Sequence, residues 1–171
     1  IIPSEGTEGL CPEESEETLQ GYVDKHVVAQ PQDCKIGARV MLRANLSLTL
    51  VNGAVGTVCG YAPCRAESIE PTILDESLER VIAQYANFCL TECGMSEALL
   101  PIVKFQNGAE VVIPPWQYEV GGGPNTQYYA QRVVALPLSL GYAFTVHKVQ
   151  GLTLTGRVHL ELSNMWPCDH L

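Results

Sequence analysis

The residues with the clearest chemical potential in this chain are His147, Lys148, Val149, Gln150 and Gly151, with Thr153 two positions on. Lys148 offers a compact positive charge suited to a phosphate oxygen. Gln150 both donates and accepts hydrogen bonds, so it can read a nucleotide or relay a contact. Gly151 lets the backbone approach a ligand closely. Thr153 can cap a following helix, or hold a phosphate oxygen through its hydroxyl or backbone N–H. The same residues also suit a plain strand-to-helix turn with a core histidine and a surface lysine. Composition alone leaves both readings open.

Three other groups could do chemistry. Gly121-Gly122-Gly123-Pro124-Asn125 has the glycines of a phosphate cradle but no Lys-Ser/Thr after them, and Pro124 stands where a helix should start. It reads as a linker. The seven cysteines are an odd number with no basic-then-apolar leader ahead of them, which points to free thiols in a reducing, intracellular compartment, nuclear or organellar. Cys59 and Cys64, with Cys89 and Cys93, could be drawn as zinc pairs, but zinc ribbons favour tighter knuckles. The expectation is therefore that Cys89 and Cys93 are small buried residues on one helix face, with no metal bound. Trp116, Tyr118, Tyr128 and Tyr129 could form an aromatic interaction surface of a generic SH3-like domain, or pack inside it.

The net charge of −9 is unevenly spread. Residues 1–24 carry seven acids and no base, and residues 67–97 carry seven acids against Arg80 alone. What remains has five acids and nine bases, so the acidity sits in two appendages and the rest could face a phosphate backbone. The uncharged stretch Val133–His147 is too short to span a bilayer and reads as a buried strand with its connections, so no membrane insertion is expected. Ile1 in place of an initiator Met is expected of a processed or cut chain.

Several elements must position these groups. Residues 1–20 are too poor in large apolar groups to offset the entropy of ordering and should form an extended acidic arm. Ile36, Ala38, Val40 and Leu42 alternate as in a strand with one face on a core. Asn52-Gly53 and Asn107-Gly108 are turn signals, the latter between the strands Pro101–Phe105 and Ala109–Ile113. Gly56–Tyr61 reads as another strand, with Gly53, Gly56 and Gly60 allowing tight bends. Such short strands argue for a small, bent antiparallel barrel of the SH3-like kind. Leu78, Val81, Ile82, Tyr85, Phe88 and Cys89 follow helical spacing, with Thr72 and Asp75 as capping candidates and Gly94 as a stop. An acidic amphipathic helix over 73–93 should therefore interrupt the barrel. Further strands are expected over Gln131–Leu136, Ala143–Val146 and Arg157–Leu162.

The order of these segments along the chain carries a resemblance. Lys35-Ile36-Gly37-Ala38-Arg39-Val40-Met41-Leu42 is followed by Leu50-Val51-Asn52-Gly53-Ala54-Val55-Gly56, then by Leu100-Pro101-Ile102-Val103-Lys104-Phe105. Leu136-Pro137-Leu138 and the run Ala143 to Leu154, containing the pentapeptide, come last. From about residue 35 to 171, the helical insert apart, the series resembles the C-terminal region of the Pif/RecD branch of superfamily 1 DNA helicases. The resemblance implies a mixed, β-rich α+β fold. Residues 1–30 would be an acidic arm, and 31–128 an SH3-like barrel interrupted by a helical insert at 63–99. Residues 129–171 would be part of a second RecA-like lobe.

It also implies that Ala143 to Leu154 matches the family's motif five. Lys148, Gln150, Gly151 and Thr153 would then lie near single-stranded DNA and the nucleotide cleft, with His147 orienting the loop. Val149 stands where the family usually has Ser, which removes a hydroxyl. No G-x-x-x-x-G-K-[ST] loop, magnesium-holding acidic pair or arginine finger is found in these residues, so ATP and magnesium belong to a full-length helicase and no catalytic residue is assigned here. The implied role is a helicase fragment contributing single-stranded DNA contact and DNA/ATP coupling. The competing expectation, raised by the acidic appendages, is a helicase-derived structural subunit meeting protein or ribonucleoprotein partners.

Overall fold

A computed structural model describes residues 21, 34–73, 76–120, 131–145 and 157–161. The acidic arm apart from residue 21, the glycine-rich connection at 121–125 and the pentapeptide lie outside the described residues. The strands are β1 (Arg39–Leu42), β2 (Val55–Pro63), β3 (Leu99–Phe105), β4 (Glu110–Val112), β5 (Trp116–Val120), β6 (Gln131–Ala135) and β7 (Leu138–Leu140). A 3-10 turn (Ala66–Ser68) and one helix, α1 (Glu76–Thr91), stand between β2 and β3.

Both Asn-Gly dipeptides turn the chain as their chemistry requires. Gly53 and Gly108 sit at φ +97° and +86°, a backbone region that L side chains rarely enter. Leu42 N–H donates to Ala54 O and Gly53 N–H to Leu42 O, both at 2.8 Å, closing the return from β1 toward β2. Phe105 N–H donates to Ala109 O at 2.8 Å, closing the β3–β4 hairpin.

The strands pair antiparallel in the order β4-β3-β2-β1-β7, and β5 pairs with β6 as a separate hairpin. The longest ladder, β2 with β3, runs from Gly56↔Phe105 to Pro63↔Leu99, with a register shift between Val58 and Gly60. Gly56 belongs to this ladder and does not form a bend. A Cβ placed there would lie 2.5 Å from Val103 Cγ1 and 2.7 Å from Lys104 O, so the two strands meet too closely for any side chain. The segment 64–98 leaves the sheet at Pro63 and re-enters beside it at Leu99, and Cys64 N–H donates to Ala98 O at 2.9 Å across its base.

The expected stripe makes α1 amphipathic, and it docks on the chain's own hairpin rather than on a partner. Leu78, Val81, Ile82 and Cys89 are buried, Tyr85 and Ala86 pack beside them, and the helix lies against β5 and β6. It ends near Gly94 (φ +62°), where Cys93 N–H returns to Phe88 O and Met95 N–H to Cys89 O. One apolar core unites this stripe with Val40 and Leu42 of β1, Val58 of β2, Leu100 and Val103 of β3, Ile113, Val134 and Leu138.

The architecture is thus a mixed α/β one with antiparallel sheets and a single helix among the described residues. Three expectations are corrected. The described strands do not close into a barrel: β4 and β7 end the five-stranded sheet on opposite sides, and β5–β6 pairs only with itself. Ile36 is 66% exposed in the turn at Gly37 rather than on the inner face of β1. Ala143–Thr145 and Arg157–Glu161 form no strand, and Val158 and Leu160 are exposed. Alternating apolar residues fix which face a strand would bury, but its ladder needs a neighbour that local sequence does not specify. Pairing also crosses residue 128, since β5 meets β6 and β1 meets β7.

The close approach at Gly56 gives a direct test. Gly56→Ala should lower stability by about 1–3 kcal/mol through overpacking, read as a fall in the urea midpoint. Gly60→Ala, whose Cβ would find its nearest neighbour at 3.6 Å, should cost less. Equal effects would show that the β2–β3 spacing is not the constraint.

Candidate nucleic-acid interface

His147, Lys148, Gln150, Gly151 and Thr153 lie outside the described residues, so their side-chain geometry is not assigned. The segment that leads to them is described as far as Thr145. Val133 and Val134 of β6 are buried, as are Leu138 and Ser139 of β7. β7 pairs with β1 from Leu42↔Leu138 to Val40↔Leu140. Gly141 N–H continues this edge by donating to Arg39 O at 2.7 Å, and Arg39 N–H donates to the Tyr142 hydroxyl at 3.1 Å. A Cβ at Gly141 would stand 3.1 Å from the Val40 carbonyl carbon, so the chain hugs β1 there. The segment preceding the pentapeptide is therefore pinned to the sheet through Tyr142.

The second predicted group is partly interior. Trp116 is half-buried and packs against the core beside the fully buried Pro114 and Pro115. Tyr118, opposite Val133, is also half-buried, with its hydroxyl oxygen buried. Tyr128 and Tyr129 lie outside the described residues. β5 thus carries one ring packed on the core and one hydroxyl withdrawn from solvent. Its prolines and its place beneath α1 draw the rings inward.

The basic residues of the sheet are scattered. Arg39 and Arg43 are half-buried on and beside β1, and Lys35, Arg65 and Lys104 are exposed. Lys104 Nζ lies 2.9 Å from Glu110 Oε1 in an exposed pair, so its charge is already answered in this face. Exposed pairs of this kind contribute little to stability.

The cysteines are free thiols where described. Cys59 is exposed, Cys34 is half-buried, and Cys64 and Cys89 are buried. Cys93 is exposed, against the expectation that it shares a buried helix face with Cys89, because α1 ends at Thr91 and Cys93 lies in the turn beyond it. Cys64 lies at the foot of the insert with its Sγ 3.8 Å from Ile82 O. Burial, and then the neighbouring Cys89, push its thiol up to about 11. Burial also raises Cys89, against a lowering hydrogen bond from Tyr85. The Tyr85 hydroxyl is raised in turn, by burial first and by Cys89 second. Burial thus favours neutral thiols, whereas metals take thiolates. The drawn zinc pairs do not assemble: Cys59 faces out where Cys64 faces in. Among the described residues no group of three or more His, Cys, Asp or Glu could hold a metal ion. Among the same residues no helix is long and apolar enough to cross a membrane.

With this frame in view, the relationships of the chain become specific. It is homologous, over its whole length, to a segment of the Pif1-family ATP-dependent DNA helicases. The ATP-dependent DNA helicase PIF1 of Trypanosoma brucei brucei is 55% identical over 171 residues, which is 100% of this chain and 18% of that protein. The ATP-dependent DNA helicase PIF3 of the same organism is 40% identical over 148 residues, covering 82% of this chain and 16% of the relative. The chain thus spans under a fifth of the length of these curated relatives. The crystal structure of Pif1 helicase from Candida albicans matches the fold with a TM-score of 0.53 at 24% identity, over 91% of this chain and 31% of that one. No protein-family model matches the chain.

The thiol cluster sets a pH dependence. A folded state that holds Cys64 at about 11, above its ordinary 9.0, prefers the neutral thiol. That preference is fully present below pH 9 and is lost as pH rises toward 11. Unfolding free energy should fall by roughly 2 kcal/mol across this window, measured by urea titration at its two ends. Cys64→Ala should shrink the fall, and an undiminished fall in the variant would remove Cys64 as its cause.

Proposed function

We propose that this chain is a segment of an ATP-dependent DNA helicase that contributes single-stranded DNA contact and couples it to ATP hydrolysis in the complete enzyme. One observation carries the reading: 55% identity across all 171 residues with a protein named as such a helicase. The pentapeptide and Thr153 support it, because Lys148, Gln150, Gly151 and Thr153 supply a charge, an amide, a glycine without a side chain and a hydroxyl within six residues. His147 orients the loop. The pinning of Gly141 and Tyr142 to β1 supports it physically, because it fixes the chain shortly before the pentapeptide and lowers the ordering cost of binding there.

In this reading, residues 31–128 are the SH3-like part with its insert at 63–99, and residues 129–171 open the second RecA-like lobe. β6 and β7 are then the strands through which the lobe joins the sheet. The chain's own residues do not fit a magnesium–ATP site, since no phosphate-binding loop occurs in the sequence. No hydrolytic step is assigned to them. A DNA-directed role places the whole protein where DNA is, in the nucleus or a DNA-containing organelle.

The test is a titration of end-labelled single-stranded DNA with the 171-residue chain, followed by anisotropy across a series of salt concentrations. Binding should weaken steeply with salt as counterions are released. Lys148→Ala should weaken binding to all sequences alike and reduce the salt slope by about 1. Absence of binding at low salt would refute the DNA-contacting role.

A further inference from the structure

Between β1 and β2 the chain makes an excursion whose leucines alternate in and out. Leu46 and Leu50 are buried, at 7% and 4% exposure, while Leu48 between them is 100% exposed. The loop is braced from within. Leu46 N–H donates to Leu50 O at 2.8 Å. Ser47 Oγ accepts from Thr49 N–H at 3.3 Å and from Leu50 N–H at 3.2 Å, and Asn45 Oδ1 accepts from Asn52 N–H at 2.8 Å. Two buried anchors and this set of bonds hold an apolar tip in water, where it contributes nothing to the core.

Beside the tip lies an open cleft of about 590 Å³ lined by Asn45, Leu46, Ser47, Leu48, Thr49 and Thr72. Thr72 comes from the turn ahead of α1, so the insert supplies one wall and the sheet loop the other. The size suits one small ligand or one residue-sized group of a larger one. The lining carries no charge, and neither does the sequence from Ala44 to Cys64. A phosphate or carboxylate would find no counter-charge here. Leucine faces beside hydroxyl and amide groups match a flat, uncharged ring with donors and acceptors on its rim. Because Asn45 Oδ1 is engaged by Asn52, its amide nitrogen is the part left to donate outward.

We propose that this cleft receives an unpaired nucleobase of a DNA strand, with Leu48 packed on the face of the ring and Asn45 and Thr72 toward its edge. The inference rests on the helicase-segment reading and deepens it. The cleft would add to DNA binding a contact to the base that salt does not screen.

The experiment compares two labelled strands of equal length, a short oligothymidylate and an abasic strand with the same phosphates, each titrated with the 171-residue chain at low salt. The abasic strand should bind roughly three- to tenfold more weakly, as partial burial of one leucine side chain against a ring provides. Leu48→Ser should weaken oligothymidylate binding by the same factor and leave the abasic strand unaffected. Thr72→Val, on the opposite wall, should lose a smaller part of the same difference. Equal affinities for the two strands, or a Leu48→Ser loss common to both, would overturn the proposal while leaving DNA contact standing. So would a Leu48→Ser variant that binds both strands as before, the outcome expected of a protein-docking tip. If neither strand binds, the DNA-contacting role falls and this proposal falls with it.

Discussion

The antiparallel pairing of β2 with β3 is the constraint on which the rest of this structure depends. It is the longest ladder, and it places Gly56 so near Val103 and Lys104 that no side chain fits between the strands. β1 aligns on one side of it and β4 on the other, and β7 then adds to β1. The same ladder sets the two ends of the insert next to each other at Pro63 and Leu99. From there α1 reaches over the β5–β6 hairpin and completes the core. The segment that leads into the pentapeptide is thus held by a chain of pairings that begins at β2–β3.

What could be read from the sequence depends on how local its cause is. The Asn-Gly turns were legible because positive φ at Gly53 and Gly108 is a property of two residues. The helix was legible because Leu78, Val81, Ile82 and Cys89 recur on one face, and its observed span, Glu76–Thr91, lies inside the expected 73–93. The strand expected at Ala143–Val146 depended on a neighbour, and Ala143–Thr145 has none within the described residues. Gly56 shows the same limit from the other side. Its glycine signal was visible, but its cause, a close approach of β3 from nearly fifty positions away, was not.

The candidate site divides along the same line. Residue types at 147–153 state a chemistry for phosphate and nucleotide contact, whereas their arrangement depends on elements far away in sequence. For Trp116 and Tyr118 residue type leaves a surface and an interior placement open, and Trp116 packs on the core beside the paired prolines. The cleft beside Leu48 gave no sequence signal of its own. It exists because Thr72, in the insert, is brought to the loop that follows β1.

The closure of the insert at its base has a consequence for how such a chain can change. Because β2 and β3 already hold the ends of residues 64–98 in register, the ladder does not depend on the length of the insert's turns, although the buried stripe of α1 belongs to the core. Doubling the length of a closed loop costs only about 0.6 kcal/mol in chain entropy. Those turns can therefore lengthen with little penalty to the ladder beneath them, so long as Leu78, Val81, Ile82 and Cys89 keep their place in the core. Thr72, which belongs to such a turn and not to that stripe, makes it one wall of a cleft. Drift in that exposed turn would then retune what the sheet loop recognises without disturbing the core.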